Sequence, residues 1–167
     1  MRDDKLCLVP HPRVPFPHRT RNNRRETSVG TLAAKWLFKS DPDTYSFANL
    51  ERDGQTVWDG VSNNLALKHL RSVRRGDQAL IYHTGDEKAV VGLAEVVNDA
   101  YPDPKQKDSR LVVVDVKASE RLARPVSLDE IKKQVALKDF DLVRLPRLSV
   151  MPVSEAQWNA IMKLAGR

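Results

Sequence analysis

The chain has 167 residues, of which 41% are hydrophobic, and it contains no run of about 18 apolar residues that could cross a bilayer. Its formal net charge of +6 is unevenly spread, because residues 1–30 hold seven lysines and arginines against three acids while residues 31–167 are nearly neutral. This distribution excludes bulk attraction to phosphates as the main source of affinity of the folded part, and it predicts a soluble protein of one domain without a membrane partner.

Residues 1–30 are predicted to be a disordered basic tail. Four prolines between positions 10 and 17 precede four arginines between positions 19 and 25, and no repeating apolar face offsets the entropy of ordering. The tail is either an arm that grips phosphates or a stretch without function that an upstream start codon adds. Its Cys7 is the only cysteine, which excludes a disulfide framework, and the absence of a signal-peptide pattern predicts a cytoplasmic protein.

Residues 31–167 are predicted to form one domain of short strands and capped helices. Helix starts are marked by serine or asparagine before an apolar repeat, and Ser127 with Glu130 and Ser154 with Gln157 make capping boxes. Strands are marked by runs rich in Val, Ile and Leu. In chain order, the predicted elements are a strand at 35–39, a helix beginning at Ser46, a helix capped by Asn63, strands at 78–84, 90–98 and 111–120, a helix beginning at Ser127 and a helix beginning at Ser154.

The order of these elements predicts the fold class. Strands cluster in the middle and helices at the flanks, without the strand-helix alternation that builds a parallel sheet. Pro102 and Pro104 keep the loop at 101–108 from being the interior of a strand. An α+β fold around a small mixed barrel is therefore expected.

Several catalytic signatures are absent from the sequence. The seven glycines are scattered, so no phosphate-binding loop is present, and no His, Cys and Glu spacing of a zinc site occurs. Ser40, Asp59 and His83 could be imagined as a triad, but no serine stands in the Gly-x-Ser-x-Gly context that exposes a nucleophile. A binding role is therefore favoured over catalysis, with no cofactor and no metal.

Three polar residues at the ends of predicted elements are candidate ligand-binding groups. His83 ends a strand, where an imidazole can bond to a ligand edge or be satisfied by the backbone. Ser40 can serve a ligand or start the turn that follows it, and Asn63 can serve a ligand or only cap its helix. Both roles are open for each residue, and convergence of the three in space would favour the ligand.

The three tryptophans differ in context. Trp158 lies on an apolar helix face and is expected in the core. Trp58 precedes Asp59 and Gly60 at a strand end, where its ring either belongs to the core or, if its face is open, could stack on a base for about 1 to 3 kcal/mol. Trp36 begins a strand, and a core position is its stronger interpretation.

Further motifs follow one another between residues 35 and 165. They are Lys35-Trp36-Leu37-Phe38-Lys39-Ser40-Asp41-Pro42, Trp58-Asp59-Gly60-Val61-x-Asn63, Arg75-Gly76-Asp77, Tyr82-His83, Val91-Gly92-Leu93-Ala94-Glu95-Val96, Ala100-Tyr101-Pro102-Asp103-Pro104, Val114-Asp115-Val116 and Arg147-Leu148-Ser149-Val150-x-Pro152-Val153. In kind and in order, the series resembles the EVE domain, a PUA-like family, over most of residues 31–167.

The resemblance implies a PUA-like, small, mixed and mostly antiparallel β-barrel with flanking helices and without known catalysis. Its pocket would receive a modified base such as 5-methylcytosine or 5-hydroxymethylcytosine. Two departures from the family pattern are Ser62 in place of the usual arginine and Asp41 in place of the usual glutamate. Carried over residue by residue, the ligand-binding residues are Trp36, Ser40, Trp58, Asn63, Tyr82, His83, Leu148 and Ser149. The basic residues expected on a nucleic-acid rim are Lys39, Lys68, Arg71 and Arg147.

The expected function is therefore recognition of a modified base in DNA by a monomer. Two alternatives stay open. One is an RNA-binding module, since PUA-like barrels often meet RNA, and the other is an enzyme that acts on a nucleotide or a small molecule in the same pocket. An enzyme would need a titratable pair in contact, and the sequence offers only His83 without a convincing partner.

Overall fold

The computed structural model describes residues 33–167, and the tail predicted for residues 1–30 lies outside this range. None of the helices in this range is long and apolar enough to span a membrane. In chain order the elements are β1 (Lys35–Ser40), α1 (Phe47–Asp53), β2 (Gln55–Trp58), α2 (Asn64–Ser72), β3 (Gln78–His83), β4 (Ala89–Val96), β5 (Tyr101–Pro102), β6 (Val112–Ser127), α3 (Leu128–Lys133), a 3-10 turn (Val135–Leu137), α4 (Asp141–Arg144), β7 (Val150–Val153) and α5 (Glu155–Leu164).

The strands form a seven-stranded sheet in the order β2-β6-β4-β3-β1-β7, with β5 paired to β6. Strands β1 and β3 run parallel, because the chain crosses through α1, β2 and α2 between them, and the other pairs are antiparallel. The α+β class and the mostly antiparallel sheet are confirmed. Hydrogen bonds do not join β2 to β7 in the described chain, so the expected barrel is not closed.

The predicted helix starts lie where local capping chemistry puts them. Ser46 and Asn63 cap α1 and α2 by accepting backbone N–H groups, and Gly54 ends α1 with φ 75°. Reciprocal capping boxes at Ser127 and Ser154 begin α3 and α5. These predictions are confirmed because a cap joins groups only two or three residues apart, which the sequence displays directly.

The later strands differ from the prediction. Strand β6 continues beyond residue 120 to Ser127, because Val126 pairs with Val90 of β4 and keeps its side chain buried. Strand β5 includes Pro102, which was expected in a loop. Proline has no N–H to donate, and an edge position tolerates it because no further strand needs a donor there. Strand β7 and helix α4 have no counterpart among the predicted elements.

The two faces of β1 pack against different helices. Side chains alternate along a strand, so Trp36, Phe38 and Ser40 share one face. The Trp36 ring lies 6.4 Å from the His69 ring of α2, which puts α2 on this face. On the opposite face, the Lys35 ammonium lies 5.4 Å from the centre of the Trp158 ring of α5. The core therefore has two layers, one on each side of the sheet.

Candidate functional site

Five of the predicted site residues meet at one edge of the sheet. Because β1 and β3 are parallel, their carboxyl ends lie side by side, and Ser40 is the register partner of His83 as Lys39 is of Tyr82. The Lys39 N–H donates to the Ser149 carbonyl at 2.9 Å, which brings the residue before β7 to the same edge. This edge, formed by Lys39, Ser40, Tyr82, His83 and Ser149, is called the carboxyl edge below.

The pleat of the sheet divides the carboxyl edge into two sides. Ser40 and His83 lie on the face of Phe38, which α1 and α2 cover, while Lys39 and Tyr82 lie on the opposite face. A ligand that touches both sides must therefore sit at the end of the strands, where the faces join. The sequence predicted one convergent pocket, and its pattern alone could not show that the residues divide between two faces of the sheet.

His83 is held at both ring nitrogens by the protein itself. Its Nε2 accepts the N–H of Phe47 at 2.9 Å, and its Nδ1 lies 2.6 Å from Oε2 of Glu87. Since Nε2 must be an acceptor, the network assigns the ring proton to Nδ1, which donates to the carboxylate. Of the two roles left open for His83, the structure shows the structural one, and the ring links β3 to the start of α1.

Ser40 and Asn63 also have bonds within the chain. The Ser40 hydroxyl donates to the Tyr45 carbonyl, and the Asn63 side-chain oxygen accepts the N–H groups of Leu65 and Ala66 at 3.0 and 3.1 Å. These bonds use one hydroxyl proton and one amide oxygen. The Ser40 oxygen can still accept and the Asn63 amide nitrogen can still donate, so each residue combines its structural role with capacity for a ligand.

Trp36 belongs to the core and lies away from the carboxyl edge. It is 6% exposed, and its Nε1 donates to Oδ2 of Asp77 at 2.8 Å. The same buried carboxylate accepts the N–H groups of Ala34 at 3.1 Å and Arg74 at 2.9 Å. Trp36 is four residues, or about 13 Å along the strand, from Ser40. The core position that the sequence favoured is the one observed.

Trp58 does not present the open face that a stacking role requires. It is 8% exposed, and its ring lies 5.5 Å from the Phe38 ring at 33°. Trp58 is buried because it lies at the end of β2, paired with Val114 of β6, and because its ring packs against Phe38 of β1. The open face on which the stacking role depended is absent, and of the two positions left open for Trp58 the structure shows the buried one.

Lys39 and Tyr82 form the other side of the carboxyl edge. The Lys39 ammonium donates to the Pro146 carbonyl at 2.8 Å and lies 5.8 Å from the centre of the Tyr82 ring. Burial lowers the pKa of Lys39 and raises the pKa of Tyr82. Leu148, two residues after Pro146 in the same loop, is buried. A half-buried cation beside an aromatic ring is suited to an anionic or electron-rich ligand group.

The remaining predicted rim residues lie on two different elements. Lys68 and Arg71 are exposed on α2, while Arg147 is exposed in the loop before β7. Two further exposed arginines, Arg74 and Arg75, follow α2 directly and were missed as candidates. Their signal was present in the sequence as basic residues at helical spacing that continue into the next turn.

One cavity in the described range is lined by none of the predicted site residues. This cavity of about 290 Å³ is lined by Asp139, Asp141, Pro152, Val153, Ser154 and Gln157. Residues 33–167 hold no group of three His, Cys, Asp or Glu side chains placed to bind a metal ion.

The family model of the EVE domain matches residues 34–164 of this chain. Rat thymocyte nuclear protein 1 is 29% identical over 173 residues, which cover 83% of this chain and 76% of the rat protein. The human protein of the same name is 27% identical over 167 residues, 80% of this chain and 74% of its own length.

Solved structures show the same fold. A protein from Rhodopseudomonas palustris, solved by NMR, is 39% identical and superposes with a TM-score of 0.77 over 80% of this chain and 94% of its own. Human THYN1 protein in complex with DNA containing 5-methylcytosine is 27% identical, with a TM-score of 0.75 over 81% of this chain and 99% of that chain.

Proposed function

The chain belongs to the EVE domain family, and from that premise we propose that it is a non-catalytic module that binds a modified cytosine in DNA. The observation that carries the proposal is the superposition on human THYN1 protein, a relative of the same fold that is solved with DNA containing 5-methylcytosine. Because the match spans nearly all of that chain, the comparison concerns the whole binding module rather than a fragment.

The carboxyl edge is the proposed place of the base. Polar groups of β1, β3 and the loop before β7 meet there, at the end of a rigid sheet. A base inside a duplex cannot reach such a site, so the protein would flip the base out or bind single-stranded DNA, at a cost of a few kcal/mol in lost stacking and pairing.

The proposed roles follow from the groups that the fold leaves available. Ser149, the Ser40 oxygen and the Asn63 amide would bond to the polar edge of the base, and Lys39 would face a phosphate or a carbonyl of the ligand. Trp58, held from behind by Phe38, would form a wall against the ring rather than an exposed platform. One methyl group in an apolar slot discriminates by only about 1 to 3 kcal/mol, so polar contacts must supply the rest of the affinity.

The absence of catalysis is supported by the state of His83. A general base needs a ring nitrogen that can take a proton from the substrate. In His83 the lone pair of Nε2 accepts a backbone N–H and Nδ1 faces Glu87, so taking a proton from a ligand would require breaking the bond that anchors α1.

A binding titration of the full chain tests the proposal. Oligonucleotides with one cytosine, 5-methylcytosine or 5-hydroxymethylcytosine, single-stranded and in duplexes, are compared with an RNA of the same sequence. We expect tighter binding of a modified base in DNA and unchanged nucleotides after incubation. Equal affinity for all bases contradicts the reader function, tighter binding of RNA assigns the alternative function, and a converted base makes the protein an enzyme.

A pair of serine variants locates the site. Ser149→Ala removes a hydroxyl at the carboxyl edge, and Ser119→Ala removes an exposed hydroxyl in β6 as the matched control. A lost hydrogen bond is worth about 0.5 to 1.5 kcal/mol, so Ser149→Ala should weaken binding of the modified base by about 3- to 10-fold. Equal binding by the two variants would remove Ser149 from the site. Trp58→Ala is unsuited to this test because truncation of a buried tryptophan costs about 3 to 5 kcal/mol of stability.

A further inference from the structure

The arginines of the described range fall into two groups. Ten arginines lie between residues 33 and 167, and six of them have a carboxylate oxygen within 4 Å. Among the described residues, no such partner is found for Arg71, Arg74, Arg75 and Arg147. Three of these four stand within five positions of one another, at the end of α2. The arginines without a carboxylate partner are therefore concentrated at one place on the molecule.

These arginines continue a basic strip on α2. Lys68 and Arg71 are one turn apart on its exposed side, and Arg74 and Arg75 extend the strip into the turn before β3. All four side chains are exposed. The group Lys68, Arg71, Arg74 and Arg75 is called the α2 basic strip.

The nearby acids do not neutralise the strip. Asp77 is buried and directs its carboxylate to Trp36 and to backbone N–H groups. Asp108 forms a pair with Arg110 at 2.7 Å, and Asp99 accepts the backbone N–H of Arg75 at 2.9 Å. The Asp77 carboxylate is thus turned inward and Asp108 is paired with Arg110. The strip therefore keeps a surplus of positive charge at the surface.

Helix capping explains only part of the strip. Cations favour the carboxyl end of a helix, and Nη1 of Arg74 donates to the Arg71 carbonyl at 3.2 Å. Nη2 of Arg71 donates to the Arg110 carbonyl at 2.6 Å, which orders this side chain without using its charge. Each guanidinium carries five N–H donors, so most donors of the strip remain for another partner.

The strip follows the helix that Asn63 caps, and its far end, at Arg74, reaches the amino end of β1 through Asp77. Asn63, which caps α2, is one of the residues assigned to the base, and Arg71 lies eight residues further along the same helix, about 12 Å away. One DNA strand carries a phosphate for about every 3.4 Å of duplex axis. The distance from Asn63 to Arg71 therefore corresponds to three or four phosphate spacings of one strand.

We infer that the α2 basic strip binds the phosphate backbone of the DNA strand that presents its base to the carboxyl edge. This inference rests on the proposed function for the base but concerns a different surface and a different chemistry. It assigns Arg74 and Arg75 to the interface, and it gives the strip affinity for any DNA sequence, since phosphates carry no base identity.

The test compares two triple variants of the full chain that lose the same charge. Arg71→Gln/Arg74→Gln/Arg75→Gln removes the strip, whereas Arg52→Gln/Arg144→Gln/Arg167→Gln removes three exposed arginines that are paired with acids. Affinity for a 5-methylcytosine duplex and for the unmodified duplex is measured from 50 to 200 mM salt. Thermal melting verifies that each variant is folded, and Arg71→Lys/Arg74→Lys/Arg75→Lys keeps the charge.

The strip variant should lose about 2.7 from the slope of log affinity against log salt, since each phosphate contact contributes about 0.9. Over this fourfold salt range, the wild type would then weaken about 40-fold more than the variant. The paired-arginine variant and the lysine variant should keep a slope near that of the wild type. The ratio of affinities for modified and unmodified DNA should stay unchanged in every variant.

The outcomes separate the inference from the proposed function. Equal slopes for the strip variant and the paired-arginine variant would overturn the inference, even if a preference for 5-methylcytosine is found. A slope that falls only in the strip variant supports the inference, even if the wild type shows no such preference. A larger slope change on RNA than on DNA of the same sequence would overturn the assignment to DNA.

Discussion

The two ends of β1 are built from similar residues and behave differently. At the amino end, Trp36 and the backbone of Ala34 and Arg74 all donate to one buried carboxylate, that of Asp77. At the carboxyl end, Ser40 bonds to the backbone of the following loop, and polar groups are half-buried at the edge of the sheet. An aromatic and polar pattern thus gives a closed anchor at one end and a candidate site at the other.

The difference between the two ends arises from burial, which decides whether a polar group remains available to a ligand. A buried carboxylate with three donors is satisfied within the chain, and its burial closes it to a ligand. Groups at the carboxyl edge satisfy part of their capacity within the chain and keep the rest at the surface. Variants that change one end of β1 at a time test this difference.

The largest expected effect is at the closed end. Asp77→Ala leaves the Trp36 indole and two backbone N–H groups without an acceptor, and it should lower the free energy of unfolding by about 3 to 5 kcal/mol in urea denaturation. Asp99→Ala is the matched control, because Asp99 is exposed and accepts only one backbone N–H, that of Arg75. Similar losses for the two variants would show that the Asp77 end is not an anchor.

A smaller effect is expected at His83. His83→Ala removes the acceptor of the buried Phe47 N–H and should cost about 3 kcal/mol, with faster hydrogen exchange at the Phe47 amide. His69→Ala, a half-exposed histidine on α2, should cost less than about 1 kcal/mol. Unchanged exchange at Phe47 would mean that His83 does not hold the start of α1.

Gly92→Ala disturbs the same contact from the sheet. A Cβ at this position would lie 2.4 Å from Cζ of the Phe47 ring, so the ring must move. Overpacking of this kind costs about 1 to 3 kcal/mol. Since Phe47 leads to Ser46 and the loop after β1, affinity for a modified base should fall as well, while the Trp36 indole resonance in an NMR spectrum should stay in place. A loss of stability together with a shifted Trp36 signal would show that the two ends are not independent.

Sequence patterns predicted what depends on neighbours in the chain. The starts of α1, α2, α3 and α5 follow from caps, and β1, β3 and β4 follow from apolar runs. The extension of β6 and the pairing of β7 depend on distant partners, which local composition does not display. The parallel pairing of β1 and β3 was likewise outside the reach of a local pattern.

The candidate site shows the same limit. The meeting of Ser40, His83 and Ser149 at one edge agrees with their predicted grouping, although their binding role stays a prediction. The sequence left the burial of Trp58 open, because it depends on packing against Phe38, twenty residues earlier in the chain. The Glu87 partner of His83 was missed, because the sequence of the five-residue loop at 84–88 does not show in which direction its side chains lie.

The smallest expected effect is a change in the pKa of Lys39. Burial lowers this pKa below the ordinary 10.5, because the charged form is less well solvated. A DNA phosphate at the carboxyl edge would favour the charged form, so the pKa measured by NMR should rise when DNA is added. The charged lysine costs stability at neutral pH, and this cost disappears as pH rises from the lowered pKa to 10.5. A pKa that DNA leaves unchanged would place Lys39 outside the interface.

The most direct test uses the indole N–H signals of the three tryptophans in an NMR spectrum of the full chain. Single-stranded DNA with one 5-methylcytosine is added, and the same strand with cytosine serves as the reference. We predict that the modified base shifts the signals of the Trp58 indole and of the backbone amides of Ser40 and Ser149 more than cytosine does. The signal of the Trp36 indole, which is bonded to Asp77, should stay unchanged. Identical shifts for the two strands, or shifts confined to Trp36 and its neighbours, would contradict this prediction.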